Sequence, residues 1–291
     1  MPSLKSLRGR IKSVKNTRQI TSTMKMVAAA KLRRARDTAE KARPYADRLL
    51  SVLNNLAAQS DSASAPLLLQ GRPNPQVVRI VVFGSDRGLC GAFNGNLLKA
   101  AFEAMRRFEA EGKTVEFVAV GNKACDGLDA KELNKVVKAY RDGTKDQSFA
   151  AASRIGTDLV DAFMHGECDE VYIVYNQFVS ALTQQPKLTR LVPFTAETSA
   201  HKGPLASMEY EPSEDAVLAD LLPRNLAVQV FQAMLESNAS EQGARMTAMD
   251  NATRNAKEMI KKLSLKYNRT RQATITSELI EIISGAEAIA G

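Results

Sequence analysis

The chain has 291 residues, enough for one or two domains with a real core, and its formal charge is +8, from 40 Lys and Arg against 32 Asp and Glu. A basic balance of that size points to nucleic acid, a membrane surface or an acidic protein partner. Three scattered cysteines argue against a disulfide framework and for a reducing, cytosolic compartment, no run approaches the roughly 18 apolar residues of a membrane span, and no signal or transit pattern opens the chain.

The first element read along the chain is a long amphipathic helix. A strict 3-4 alternation from Leu4 to Leu56 places apolar residues at thirteen of sixteen positions, the exceptions being Arg18, Thr21 and Lys25. That is a heptad seam, which predicts a helix of roughly 80 Å at 1.5 Å per residue. Ala28, Ala35, Ala39, Ala42 and Ala46 let a partner helix come close. Pro44 should kink or break the helix near Arg43, because proline removes a backbone donor and clashes with the preceding turn. Eleven of the basic residues, and no acidic ones, lie within residues 1–36, leaving 29 basic against 32 acidic residues in the other 255, a balance of −3. The positive charge is one amino-terminal feature.

The middle of the chain follows a different pattern. "QSDSASAPLLLQGRPNPQ" (59–76) reads as a linker, and "VVRIVVFG" (77–84) as a β-branched strand. A helix near Asn94–Glu111, a strand "TVEFVAVG" (114–121), a short helix, a strand at Val136 and Val137, and a helix near Asp146–His165 follow. "DEVYIVYN" (169–176) and "KLTRLVPF" (187–194) complete an α/β pattern with a mainly parallel sheet. A second linker, "TSAHKGPLASMEYEPSED" (198–215), leads to a helix expected after Pro223, with no proline from Arg224 onward. Met246, Met249, Ala252, Ala256, Ile260, Leu263 and Tyr267 form its stripe, Arg271 interrupts it, and Ile275, Leu279, Ile282, Ala286 and Ile289 continue it. Such a helix would span roughly 100 Å. Neither long helix buries its stripe alone, so the two pair as an antiparallel coiled coil. The fold class is therefore α/β, with a long antiparallel coiled coil and a central Rossmann-like domain. Its parts are a helix over 1–58, a central domain over 77–196 and a second helix over 212–291.

Chemistry-bearing patterns are few. "GSDRGLCGAFNGN" (84–96) has glycines between a strand and a helix, but the spacing is not G-x-G-x-x-G and no acidic residue closes the second strand at Gly121 and Asn122. "GKT" (112–114) lacks the earlier glycine of a Walker loop and precedes a strand, so it reads as a hairpin-like connection. Of two histidines, His201 falls in a linker and His165 has no second pair of metal ligands beside "HGEC". Cys90 next to Arg87 suits either a reactive thiol or the commoner buried cysteine. The basic helix has the electrostatic footprint of phosphate binding, yet its seam is committed to helix pairing and no aromatic precedes Tyr45. No cofactor and no metal are expected. Two other readings stay open: a nucleotide-binding α/β protein with helical arms, and a basic-helix nucleic-acid binder.

Four segments together decide between these readings. "IKSVKNTRQITSTMKMVAAAKLRRA" (11–35), "SDRGLCGAFN" (85–94), "ESNASEQGARMTAMDNATRNA" (236–256) and "YNRTRQATITSELIEIISGA" (267–286) resemble, in order, the signature segments of the gamma subunit of the rotary F-type ATP synthase. The resemblance implies a non-catalytic central shaft turning inside a ring of alpha and beta subunits. Its α/β domain would lie against the epsilon subunit and the c-ring of a proton-translocating membrane sector, on the cytoplasmic face of a bacterial inner membrane. It implies no nucleic acid and no membrane span of the chain's own. It also implies contact residues for the alpha/beta ring at Met24, Lys25, Arg245, Arg271, Gln272, Thr276 and Glu278, and a foot-domain loop carrying Arg87 and Cys90. The cysteine-bearing insertion of the redox-regulated chloroplast form is missing, so thiol regulation is not expected.

Overall fold

The computed structural model describes residues 3–59, 65–195 and 214–290. The chain forms two compact units: residues 1–28 with 246–291, and residues 29–245. Both divisions fall inside long helices, since α1 runs Leu4–Gln59 and the last helix runs Glu214–Ala290.

The second unit holds a five-stranded sheet of β1 (Val77–Phe83), β2 (Thr114–Val120), β3 (Val136–Tyr140), β4 (Glu170–Phe178) and β5 (Gln184–Val192). The strand order is β3-β2-β1-β4-β5, parallel except for the β4–β5 pair. Alternation along β1 sorts its side chains between two cores. Val78, Ile80 and Val82 pack with α3 (Phe93–Ala110) and α4 (Asn122–Glu132) on one face. Val81 and Phe83 pack on the other with α5 (Phe149–Met164), with Leu49, Leu53 and Leu56 of α1, and with Leu226, Val230 and Met234 of the last helix. The 59–76 segment contains a short helix of its own, α2 (Leu67–Gln70), whose Leu68 is buried. The final helix is α6.

Two expectations about proline require correction: α1 does not break near Arg43, and α6 does not begin only after Pro223. Pro44 lies within an uninterrupted α1, and α6 starts at Glu214 with Pro223 inside it. Burial offsets the lost hydrogen bond at both places. Ala46 and Leu49 follow Pro44 into the core, and Leu222 and Leu226 flank Pro223 there. The "GKT" segment is also corrected: it joins α3 to β2 through Gly112 at φ +82°, whose amide donates to the Glu109 carbonyl, so it is a helix-to-strand turn.

In the first unit the amino-terminal part of α1 lies antiparallel to the later part of α6. Leu7, Thr21 and Ala28 are buried in that seam opposite Met249 and Ala256, with Ile11, Val14, Ile260, Leu263 and Tyr267 half-buried along it. Of the seam positions on α1 in this unit, Arg18 alone is exposed. Past Thr274 the α6 stripe lies open: Ile275, Leu279 and Ile282 are 47%, 53% and 67% exposed. Ile289 lies outside the described side chains.

Candidate partner-contact surfaces

Each unit carries part of the expected contact set. In the first, helical geometry puts Arg271, Gln272, Thr276 and Glu278 on consecutive turns of α6, all exposed. The Thr276 hydroxyl is tied to the Gln272 carbonyl at 3.0 Å, and among the described residues Arg271 and Glu278 make no ion pair. Ile280 and Ile283 are exposed beside the bare stripe, so this end of the helix offers apolar and charged groups all round. Met24 is half-buried and borders a shallow groove of about 480 Å³ with Asn16, Gln19, Ile20 and Thr23. Ile20, Met26 and Val27 are exposed on the same part of α1. Lys25 is half-buried, and its ammonium donates to Asp250 Oδ1 at 2.6 Å. Asp250 also accepts from Arg254, and these two partners hold its carboxyl below the usual 3.8.

In the second unit Arg245 is a hub. Its guanidinium donates to Glu241 at 2.6 Å and to the carbonyls of Arg87 and Gly88 at 3.1 Å each, which fastens the glycine-bearing loop to α6. Burial pushes the Glu241 carboxyl up, opposed by the charge and hydrogen bond of Arg245. Within the loop the Ser85 amide donates to Asn94, and the Ser85 hydroxyl donates to the Arg87 carbonyl at 2.8 Å. Leu89 and Gly91 take positive φ, 63° and 61°, so the chain can double back over Cys90. Cys90 is buried against Ser85 and Asn94, and burial raises its pKa. That favours the buried-cysteine reading over the reactive thiol, since the thiolate is the reactive form. The Arg87 side chain is exposed and lines a cleft of about 470 Å³ with Lys31, Arg34, Lys145 and Arg245.

The crevice outside the carboxyl ends of β1 and β4 is where open α/β sheets bind nucleotides. Here α6 fills it. The Ser237 hydroxyl donates to the carbonyl of Phe83, the last residue of β1, at 3.1 Å, and the Ser240 hydroxyl donates to the Asn176 carbonyl of β4 at 2.8 Å. Both serines are buried. Sequence reasoning did not find this plug, because serines inside a helical pattern look like surface residues. Nor did it find Asp250 or Glu241, although the i,i+4 spacing of Glu241 with Arg245 and of Asp250 with Arg254 was a legible signal. His165 is exposed, its ring against the Asp161 carbonyl, while His201 lies outside the described residues. No cluster of metal-ligating side chains and no helix fit to cross a membrane occurs among the described residues.

A family model described as ATP synthase matches residues 3–289. The ATP synthase gamma chain of Rhodospirillum rubrum is 53% identical over 299 residues, covering 99% of this chain and 100% of that one. That of Ruegeria pomeroyi is 51% identical over 291 residues with the same coverage. Among solved structures, a chain from the rotor of the Euglena gracilis mitochondrial ATP synthase superposes with a TM-score of 0.66 at 20% identity, over 94% of this chain and 98% of that one. A chain from the central stalk and c-ring of the Tetrahymena thermophila mitochondrial ATP synthase gives 0.58 at 24% identity, over 80% and 99%. Likeness at that identity speaks for the fold.

Proposed function

Because this chain belongs to the ATP synthase family, as a relative of its gamma chains along nearly its whole length, we propose that it is the central rotor shaft of the F1 sector, coupling rotation of a c-ring to conformational cycling of catalytic beta subunits. The observation that carries this reading is the open end of α6. A stripe of Ile275, Leu279 and Ile282 left bare beyond the paired helices is an element built to meet another surface. The chain is then a non-catalytic part of the enzyme, with helices over 1–58 and 212–291 and a central domain over 77–196. The plugged crevice supports that role, since nucleotide chemistry falls to other subunits.

In this reading the ring of alpha and beta subunits meets Met24, Lys25, Arg245, Arg271, Gln272, Thr276 and Glu278. The loop carrying Arg87 and Cys90 belongs to the foot domain, which faces the epsilon subunit and the c-ring. The complex sits on the cytoplasmic face of a bacterial inner membrane and moves protons. Purification through a tag on this chain, followed by mass identification, is expected to recover alpha, beta and epsilon subunits. Recovery of the chain with none of them would overturn the rotor reading. At the contact set, a guanidinium makes directed, charge-assisted hydrogen bonds that leucine does not. Arg271→Leu with Gln272→Leu should therefore leave the complex assembled while lowering ATP turnover, at a cost on the order of 1.5–3 kcal/mol per bond lost. Unchanged rates in a fully assembled double variant would remove these two residues from the contact set.

A further inference from the structure

The seam of the first unit is made of side chains that resemble one another. Leu7, Ile11, Val14 and Ala28 line it on α1, and Ala252, Ala256, Ile260 and Leu263 on α6. Aliphatic residues at heptad spacing on both helices make a slip of one heptad inexpensive, because apolar groups meet apolar groups again. Three polar contacts break this degeneracy, and all three specify the same alignment. The Thr253 hydroxyl lies 2.8 Å from the buried Thr21 hydroxyl, and each also has a carbonyl of its own helix within reach, Met249 at 2.7 Å and Arg18 at 3.1 Å, so the two hydroxyls share a cross-helix bond in which one donates and the other accepts. One turn along, Lys25 donates to Asp250 at 2.6 Å. Further out, the Arg8 guanidinium donates to the Tyr267 hydroxyl at 2.9 Å and lies against its ring.

Slipping α6 by a heptad in one direction sets Lys25 against Lys257 and buries the Thr21 hydroxyl against Ile260. The opposite slip sets Thr21 against Met246 and Arg8 against Ile260. Each slipped state loses the Thr21–Thr253 and Lys25–Asp250 contacts, leaving the Thr21 hydroxyl only its own-helix bond to the Arg18 carbonyl, and one of the two slips opposes like charges besides, so the native alignment is favoured.

We propose that Thr21–Thr253 and Lys25–Asp250 are positioning pairs that fix the axial register of the two helices, and thereby the height at which α6 presents Arg271 and Gln272 to its surroundings. The pairing claim stands on the contacts above, whereas its consequence for turnover rests on the rotor reading. This also gives a purpose to two of the three polar interruptions in an otherwise apolar seam.

Spin labels on Lys12→Cys and Lys262→Cys, with the native cysteines replaced by alanine, report the register by double electron–electron resonance in the purified complex. A one-heptad slip moves one label past the other by about 10 Å along the axis. The unmodified seam should give one narrow distance. Replacing the polar set with apolar groups, Thr21→Val, Thr253→Val, Lys25→Ala and Asp250→Ala, keeps the seam stable and should produce a second, slipped population. Exchanging the charges, Lys25→Asp with Asp250→Lys and Arg254→Glu, should restore the single distance. A single native distance in the apolar variant overturns the proposal, as does loss of helix with no slipped population, or slippage in the charge-exchanged form. ATP turnover should fall at least fivefold further in the apolar variant than in Lys25→Ala alone, which controls for the ring contact proposed at Lys25; the exchanged form is scored by its distance only. A slipped register with full turnover would overturn the link to function while leaving the positioning role in place, and failure of the chain to bind its ring would instead strike the rotor reading.

Discussion

Asp250 stands between the Lys25 ammonium and the Arg254 guanidinium, and hydrogen bonds to both hold its pKa below 3.8. A carboxylate depressed in the folded state contributes stability that is present above its unfolded pKa and lost as pH falls through the lower folded value. Asp250→Asn should therefore weaken helix pairing at neutral pH, and its difference from the unmodified chain should vanish in acid below the ordinary carboxylate range. Parallel acid titrations followed by circular dichroism check this; a difference that persists at the acid end would mean the charge of Asp250 is not what matters. Ser237 is a second test at this scale. Its hydroxyl is the donor to the Phe83 carbonyl, so Ser237→Ala removes that buried bond and should cost about 0.5–1.5 kcal/mol. A lower urea midpoint with an unchanged slope is the expected reading. Such residues were the least legible from sequence. The absence of G-x-G-x-x-G spacing in the 84–96 loop could be read directly, but the serines that plug the crevice have no signature, because a helix-borne serine gains its meaning from the strand carbonyl it happens to reach.

The two long helices were legible as elements because their heptad spacing persists over many turns, and so were β1 to β4, marked by β-branched residues, whereas β5 holds only Thr189 and Val192 of that kind and begins at Gln184, ahead of the expected 187. The prolines were misread for a physical reason. Pro44 and Pro223 each forfeit a backbone hydrogen bond, a local penalty, whereas the apolar residues around them enter the main core, a tertiary gain that no local rule counts. The open segment of α6 follows the reverse logic. Residues 275–286 have good helical pattern but every one of them is exposed. Helices held by propensity alone are marginal in water. Amides there should exchange quickly with deuterium in the isolated chain and become protected in the assembled complex, while those around Met249 and Ala256 are protected in both. Equal, strong protection of 275–286 in the isolated chain would count against the segment being completed by a partner.

For the molecule as a whole, the excess charge of +8 remained ambiguous until packing assigned part of it. Lys25 and Arg8 are engaged within the chain, and no aromatic side chain interleaves the basic residues of the first 36. DNA binding should accordingly be weak, independent of sequence, and lost between about 50 and 200 mM salt; nanomolar binding to one sequence at physiological salt would contradict it. The division of the chain into units has another consequence, which concerns synthesis. One unit is built from residues 1–28 and residues 246–291, with all of the other made in between. At about 5–20 residues per second, translation leaves the first stretch of α1 waiting on the order of ten seconds or more for its partner. During that interval the α/β unit can begin to fold, whereas Leu7, Ile11 and Val14 have nothing to bury against. The nascent first stretch of α1 is thus a natural client for a holdase, and slowing the ribosome over residues 29–245 should lengthen its exposure to proteases without altering the finished protein.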